Sequence, residues 1–368
     1  MHILHIYKDY HPVFGGIENH LRWLAEAQAD RGHDVTVLVT NPAGLKTSVR
    51  EEHGVRVIRA ARIATVASTP LSLSLPLRLA RLHPDIVHLH FPYPLGEVSQ
   101  WLLRRGRAAV MTYHSDVVRQ EGFLALYGPV LKRVLRRMDR ILATSEPYIQ
   151  SSPWLRPLAD KCTVVPLGID VQRFSQPQPE RVASIRERFP GPRLLFVGRL
   201  RYYKGLDYLI QAMREVDATL LIVGTGPEAA RLERLCRELG VAHKVHFLGD
   251  VSDDHLPAYY QAADIFVLPS SHRSEAFGIV LLEAMAAGTP LITTELGTGT
   301  SWVNQDGVTG LVVPPRDASA LARAIQRMLA DESLRRTMAA RAQARARTEF
   351  DLPVLVERVL GVYDEVLG

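Results

Sequence analysis

Residues 274–290 read SEAFGIVLLEAMAAGTP, and Glu275 and Glu283 are the only charged residues in that stretch. They bracket a Phe-Gly step and an apolar run. A core helix gains nothing from a carboxylate at each end of its apolar face, and a buried acid without a partner is costly. Carboxylates bind vicinal diols through two hydrogen bonds, which would set a ribose on Glu283 and a hexose on Glu275. A helix opening near Gly278 would add the amides of Phe277, Gly278 and Ile279 as a receptor for negative charge. On these residues alone, a capping acid at 275 and a buried ion pair at 283 fit equally well.

Four other stretches could do chemistry. VGRLRYYKG (197–205) puts Arg199 and Lys204 in a loop between Gly198 and Gly205, where a helix begins. Two cations beside a helix N-terminus suit a diphosphate, although two surface cations would read the same way. VGTGPE (223–228) offers Gly224 and Gly226 after an apolar run. It is not the dinucleotide fingerprint, which needs a further glycine and follows the first strand, so a tight turn and a nucleotide contact both fit. FGGIEN (14–19) offers Gly15 and Gly16 ahead of a helix, as a plain loop or as a seat for a phosphate or sugar oxygen. TYHSD (112–116) leaves His114 at a strand end with Asp116 nearby, in a structural or a catalytic place. His88 and His90 alternate with apolar residues in DIVHLH and share one strand face. A metal held by His88, His90 and His114 has no acidic partner at ligand spacing, so no metal is expected.

These stretches need elements to hold them. β-branched runs at 2–7, 35–40, 55–59, 85–90, 108–113 and 139–144 form one series, and those at 193–198, 218–223, 244–248, 264–268, 289–293 and 310–313 a second. Helical patterns such as 17–31 and 205–215 lie between them. This alternation predicts α/β architecture: two doubly wound, Rossmann-like parallel sheets facing a cleft. The Pro- and Gln-containing segment 170–180 is the linker candidate. In such sheets ligands lie off the carboxyl ends of the strands, where every stretch above falls.

A length of 368 residues exceeds what one core usually serves. Cys162 and Cys236 have no CxxC pairing and read as reduced, which fits a cytoplasmic protein. The N-terminal residues read as a first strand, not a signal peptide, and no apolar run is long enough to span a membrane. The net charge of +5 is uneven: residues 1–175 hold 22 Lys+Arg against 15 Asp+Glu, and the remainder 22 against 24. The basic clusters are WLLRRGR (101–107) and LKRVLRRMDR (131–140). They read as a solvated helix face or as a surface for anionic lipid. Nucleic acid is not expected, since no recognition motif accompanies the charge.

Taken together and in order, the Gly-Gly loop, His114, VPLGID (165–170), GRLRYYKG and Glu275-x7-Glu283 closely resemble the retaining GT-B glycosyltransferases of family 4. The resemblance implies residues 1–172 as an acceptor-side domain and 173–350 as a nucleotide-sugar-binding domain. It also implies a tail helix, 351–368, crossing back to the first. Gly15 and Gly16 would lie by the donor diphosphate or sugar, and His114 by the hexose 6-hydroxyl. Gly198, Arg199 and Lys204 would meet the diphosphate, with Gly224 and Gly226 nearby. Glu275 would take the sugar 3- and 4-hydroxyls, Glu283 the ribose, and the segment around Val251 the base. Transfer would run by same-side displacement with retention, without metal or protein nucleophile, and the chain has no DxD triplet.

One departure narrows the resemblance. Where many members carry a Gly-Gly and a Pro-Glu pair, residues 295–315 read ELGTGTSWVNQDGVTGLVVPP. That variant is similar to bacterial rhamnosyl- and mannosyltransferases of O-antigen-type polysaccharides and implies GDP-mannose or GDP-rhamnose as donor. The expected activity is hexosyl transfer to a lipid-linked or saccharide acceptor, at the membrane surface. The alternatives are a UDP-sugar-dependent transferase, a silent GT-B subunit that only binds nucleotide-sugar, and a GT-B epimerase. Acceptor contacts are expected in loops near 9–14, 64–76 and 115–127.

Overall fold

The computed structural model describes residues 1–13, 15–42, 44–66, 69–116 and 121–368, with the backbone alone for 121–126. The expected acceptor loops fall partly outside these residues. The chain divides into two compact units, Met1–Leu167 with Leu352–Gly368, and Gly168–Asp351.

The first unit holds β1 (His2–Ile6), β2 (Asp34–Thr40), β3 (Ser48–Glu52), β4 (Val55–Ala60), β5 (Ala64–Val66), β6 (Thr69–Leu71), β7 (Ile86–Phe91), β8 (Ala108–Tyr113), β9 (Arg140–Ala143) and β10 (Cys162–Val164). Its main sheet runs β10-β9-β8-β7-β1-β2-β4-β3, with β5 and β6 as a separate hairpin. All pairings in the main sheet are parallel except β3 with β4. Residues Ile86–Phe91 of β7 are buried throughout, as a strand covered on both faces must be. β3 has no apolar pattern because it is an exposed edge, SVREE, whose charges discourage pairing with another chain. The helix Leu352–Leu367 buries Leu355, Val356, Val359, Val362 and Tyr363 along one face. These side chains share a core with Ile3, Leu24, Ile86 and Val110, so the end of the chain completes the first unit.

The second unit is an all-parallel sheet, ordered β13 (Val245–Gly249), β12 (Thr219–Val223), β11 (Arg193–Val197), β14 (Ile265–Leu268), β15 (Leu291–Thr294) and β16 (Gly310–Val313). The expected linker is not a free tether. Residues Val171–Ser175 form a helix capped by Asp170, and the Gln261 side chain donates to the carbonyls of Phe174 and Gln176 at 2.9 and 2.8 Å. The prolines that suggested a loop serve instead to separate two helices, since Pro179 opens the helix Pro179–Arg188.

The order of the parallel strands reverses once in each sheet: between β1 and β7 in the first unit, and between β11 and β14 in the second. At such a switch point the flanking loops diverge and leave a crevice for ligand.

Candidate active site

The second unit's switch point is charged. Lys204 ends a short 3-10 turn, Tyr202–Lys204, reached from β11, and Glu275 lies in the loop after β14. Lys204 Nζ and Glu275 Oε2 are 2.5 Å apart, and both side chains are buried. Burial opposes the charge on Lys204, but Glu275 outweighs it and raises the ammonium pKa above its usual value. Ser270 Oγ donates to the same carboxylate oxygen at 3.1 Å. The backbone of Glu275 is fixed as well: its carbonyl accepts from Thr298 Oγ1 at 2.8 Å, and Gly299 donates its amide to the carbonyl of Ala276 at 2.7 Å. The variant stretch at 295–315 is therefore the support on which the Glu275 loop rests. Asn304 completes it, fully buried, donating to Thr293 Oγ1 and the Leu311 carbonyl.

The helix after Glu275 runs Ile279–Ala286. Gly278 precedes it at φ 82°, a left-handed conformation that disfavours any other residue there, and a Cβ would crowd Leu268 and Leu281. No side chain caps this end, so the opening amides are left for a ligand or solvent. Phe277 is buried edge-on to Phe350. Glu283, in the helix's second turn, accepts a 2.5 Å hydrogen bond from the Tyr260 hydroxyl. Burial pushes its carboxyl up to about 7, and the Tyr260 bond pulls it partly back. The sequence left open an ion pair at 283 and a cap at 275. The structure reverses them: the ion pair is at 275, while Glu283 is held by a neutral donor.

Arg199 is exposed in the loop after β11, and Gly198 closes that strand beside the Lys204 side chain. Gly224 and Gly226 have a packing role. A Cβ on Gly224 would collide with the Gly198 carbonyl oxygen, and one on Gly226 with the backbone of Leu200. Backbone hydrogen bonds from Gly198 to Val223 and from Leu200 to Thr225, at 3.0 and 2.9 Å, join these two loops. Val251 is half-buried just after β13.

The first unit's switch point gathers imidazoles at its strand ends, with two carboxylates, Glu18 and Glu97, buried on the flanking helices. Glu97 accepts from the Tyr93 amide and the Tyr127 hydroxyl and is pushed by burial up to about 7. His114 follows β8, buried, with Nε2 3.1 Å from His90 Nδ1, and its own Nδ1 has no partner among the described residues. Asp116 is not its orienting acid; Tyr113 and Ser152 donate to Asp116 instead. Gly15 and Gly16 open the helix Gly16–Asp30, which carries His20 into ring contact with both His90 and His114. His5 on β1 pairs in register with His88 on β7, so five histidines meet: His5, His20, His88, His90 and His114. Ring nitrogens of His5, His88 and His90 lie within 4.8 Å of one another, as do those of His20, His90 and His114. All five are buried with pKa values pushed down by that burial, to about 4 for His5 and about 3 for His20. His5 and His20 were not picked out from sequence. The usable signal was the second histidine of HILHIY, which parallel pairing sets beside DIVHLH.

The chain matches the family model of glycosyl transferases group 1 over residues 180–345 and that of glycosyltransferase family 4 over residues 14–173. It is 39% identical to the D-rhamnosyltransferase WbpZ of Pseudomonas aeruginosa, covering 95% of this chain and 92% of that one. It is 37% identical to the O-antigen chain mannosyltransferase C of Escherichia coli, covering 100% and 99%. Among solved structures it is similar to a sucrose-phosphate synthase from Thermosynechococcus elongatus, with TM-score 0.82, 27% identity, and 99% and 98% of the two chains covered.

Proposed function

The chain belongs to the glycosyltransferases, and from that premise we propose that it is a retaining hexosyltransferase moving mannose or rhamnose from a GDP-sugar to a lipid-linked or saccharide acceptor. The observation that carries the reading is the buried Lys204–Glu275 pair beside an uncapped helix N-terminus. A pair buried only for stability is a poor investment, because well-packed apolar residues do as well. A pair at a switch point, by contrast, holds a cation ready for phosphate and a carboxylate ready for hydroxyls.

In this reading Arg199 and Lys204 neutralise the leaving diphosphate as its charge develops, with the helix opening at Phe277–Ile279 contributing its dipole. Lys204 must then move from Glu275 towards phosphate, which frees the carboxylate for the sugar. Glu283 holds the ribose, the loop at Val251 meets the base, and His114 accepts a sugar hydroxyl. Acceptor oxygen attacks on the face that diphosphate leaves, and the diphosphate takes the acceptor proton. Relatives named as mannosyl- and rhamnosyltransferases, and a more distant one named as GDP-mannose-dependent, favour a GDP-sugar over the UDP alternative. Retention of the whole charged set favours an enzyme over a silent binding subunit or an epimerase.

The basic clusters at 101–107 and 131–140 meet at a cavity of about 230 Å³ lined by Trp101, Arg104, Arg105, Arg107 and Arg137. Leu102 projects beside them, 64% exposed. Cations around an exposed apolar side chain suit the headgroup layer of an anionic membrane. Among the described residues no helix is long and apolar enough to cross one.

Thermal shift against GDP-, UDP- and dTDP-sugars tests the donor, since ligand raises apparent stability by mass action. GDP and GDP-mannose are expected to stabilise. Stabilisation by UDP-sugars alone would sink the donor assignment and leave the family intact.

A further inference from the structure

Four of the five buried histidines are joined by more than proximity, while His20 makes ring contacts alone among the described residues. His88 Nδ1 lies 2.5 Å from the Tyr363 hydroxyl, on the C-terminal helix, and His88 Nε2 lies 2.6 Å from Thr112 Oγ1. Gln28 Nε2 is 3.5 Å from the same Tyr363 oxygen, and Gln28 Oε1 is 2.7 Å from His5 Nε2. His5 Nδ1 is 3.1 Å from His90 Nε2, and His90 Nδ1 is 3.1 Å from His114 Nε2. A neutral imidazole has one N–H and one lone pair, so each link fixes the sense of the next. The whole chain therefore has two proton orders, and one end chooses between them.

Tyr363 makes that choice. A phenol is a far better donor than a neutral imidazole N–H, and an imidazole nitrogen a far better acceptor than a phenol oxygen. Burial also raises the Tyr363 pKa and keeps the phenol protonated. Tyr363 therefore donates to His88, and its oxygen can only accept from Gln28. The Gln28 carbonyl then faces His5, which donates through Nε2. His90 donates through Nε2 to His5, and His114 donates through Nε2 to His90. Burial holds His5, His90 and His114 neutral, as this order requires.

We propose that Tyr363 and Gln28 are positioning residues that act through His5 and His90 to lock His114 as its Nε2–H tautomer, leaving its buried Nδ1 lone pair to accept a substrate hydroxyl. The opposite order would turn the same atom into a donor suited to phosphate or carbonyl oxygen. The Nδ1 atom, unpartnered among the described residues, is the second observation pointing to a ligand, because a buried acceptor without a donor is costly until something fills it. The proposal rests on the reading of the chain as a transferase for its substrate, but the proton order does not.

Histidine-selective 15N labelling of the full chain, with two-bond 15N–1H correlation, reads each tautomer directly. His5, His88, His90 and His114 are all expected as Nε2–H. Tyr363→Phe should shift a substantial fraction of His114 to Nδ1–H while near-UV circular dichroism stays native. Gln28→Met, which breaks the chain one link nearer, should do the same if Tyr363→Phe folds poorly. Nδ1–H at His114 in the unaltered protein, or an unmoved tautomer in both variants, would overturn the relay. So would uptake of one equivalent of Zn²⁺ with loss of the imidazole N–H signals. In transfer assays Tyr363→Phe should lower kcat on the order of 3- to 10-fold, the worth of a neutral hydrogen bond. Expected tautomers with unchanged transfer would overturn the hydroxyl contact at His114 alone, and no transfer even by the unaltered protein would count against the transferase reading instead.

Discussion

At the switch point of the second unit the buried groups are an ammonium and carboxylates, with Lys204 against Glu275 and Glu283 in the second turn of the helix that follows. At the switch point of the first unit the cluster at the strand ends is neutral: four imidazoles hydrogen-bonded with an amide, a phenol and a threonine, with His20 packed against two of them and the carboxylates Glu18 and Glu97 buried on the flanking helices. The difference follows from what each group can do when water is removed. An ammonium or carboxylate that stays charged out of water needs a counter-charge, as Lys204 and Glu275 give one another, whereas Glu283 and Glu97, bonded to tyrosine hydroxyls, are pushed up towards neutrality. An imidazole can drop its proton near neutral pH and remain a hydrogen-bonding group, so several can be buried side by side. Charge that must be neutralised suits diphosphate, and a neutral lone pair suits a hydroxyl. The two sheets thus share one architecture and offer ligands two different chemistries.

The largest effect that would sharpen this contrast is the response to acid. The folded-state pKa values of the histidines lie below the usual 6.5, so below that pH the unfolded chain binds protons that the folded one refuses. The histidines' contribution to the first unit should be complete above pH 6.5 and fall as pH drops towards 4. The His5 shift to about 4 alone is worth roughly 3 kcal/mol at its limit. Glu283, and in the first unit Glu97, have the opposite sign. Burial pushes both carboxyls up to about 7, above the usual value, so their contribution is best in acid and declines between about 4.5 and 7; in the first unit the several histidines outnumber that single carboxyl. Hydrogen exchange with peptide resolution across pH 4–8 should therefore show first-unit strands opening first in acid. Uniform opening of both units would break the comparison.

Next in size is the charged pair. Lys204→Met strands a buried carboxylate and should cost about 3–5 kcal/mol in stability, read by urea unfolding. Adding Glu275→Gln to that variant should recover much of the loss. Additive losses in the double variant would mean that the two groups are not coupled.

Glu275→Gln by itself tests function. A charge-assisted hydrogen bond is worth roughly 1.5–3 kcal/mol, so kcat should fall on the order of 10- to 100-fold. Calorimetric affinity for GDP should hardly change, whereas Glu283→Gln should weaken GDP binding by a similar factor and touch kcat less. The reverse pattern would invert the placement of nucleotide and sugar along this helix.

The smallest effect per residue belongs to the surface. Changing Arg133, Arg136 and Arg137 to Gln should remove salt-sensitive binding to phosphatidylserine vesicles, at about 1 kcal/mol for each cation near the surface. Binding that ignores salt would leave those arginines as a solvated face.

Much of the fold was legible in the chain. Every interior strand announced itself, because a parallel strand buried on both faces must be a nearly unbroken apolar run. The Glu275 and Lys204 stretches announced themselves as charge where apolar sequence ought to continue. Edge strands β3 and β10 and the β5–β6 hairpin were silent, since exposed or very short strands need no apolar pattern. The sequence by itself thus determined two parallel α/β sheets, the loops at their strand ends and the residue types that crowd there.

Only tertiary structure decided who pairs with whom. Lys204 meets Glu275 across 71 positions, His5 meets His90 across 85, and Gln28 reaches Tyr363 across 335. Hydrogen bonds and ion pairs reach only about 3–4 Å, so they depend on strand order and register. Local propensity fixes neither. One apolar pattern serves either neighbour of a buried strand, and only the packed sheet sets His5 beside His88.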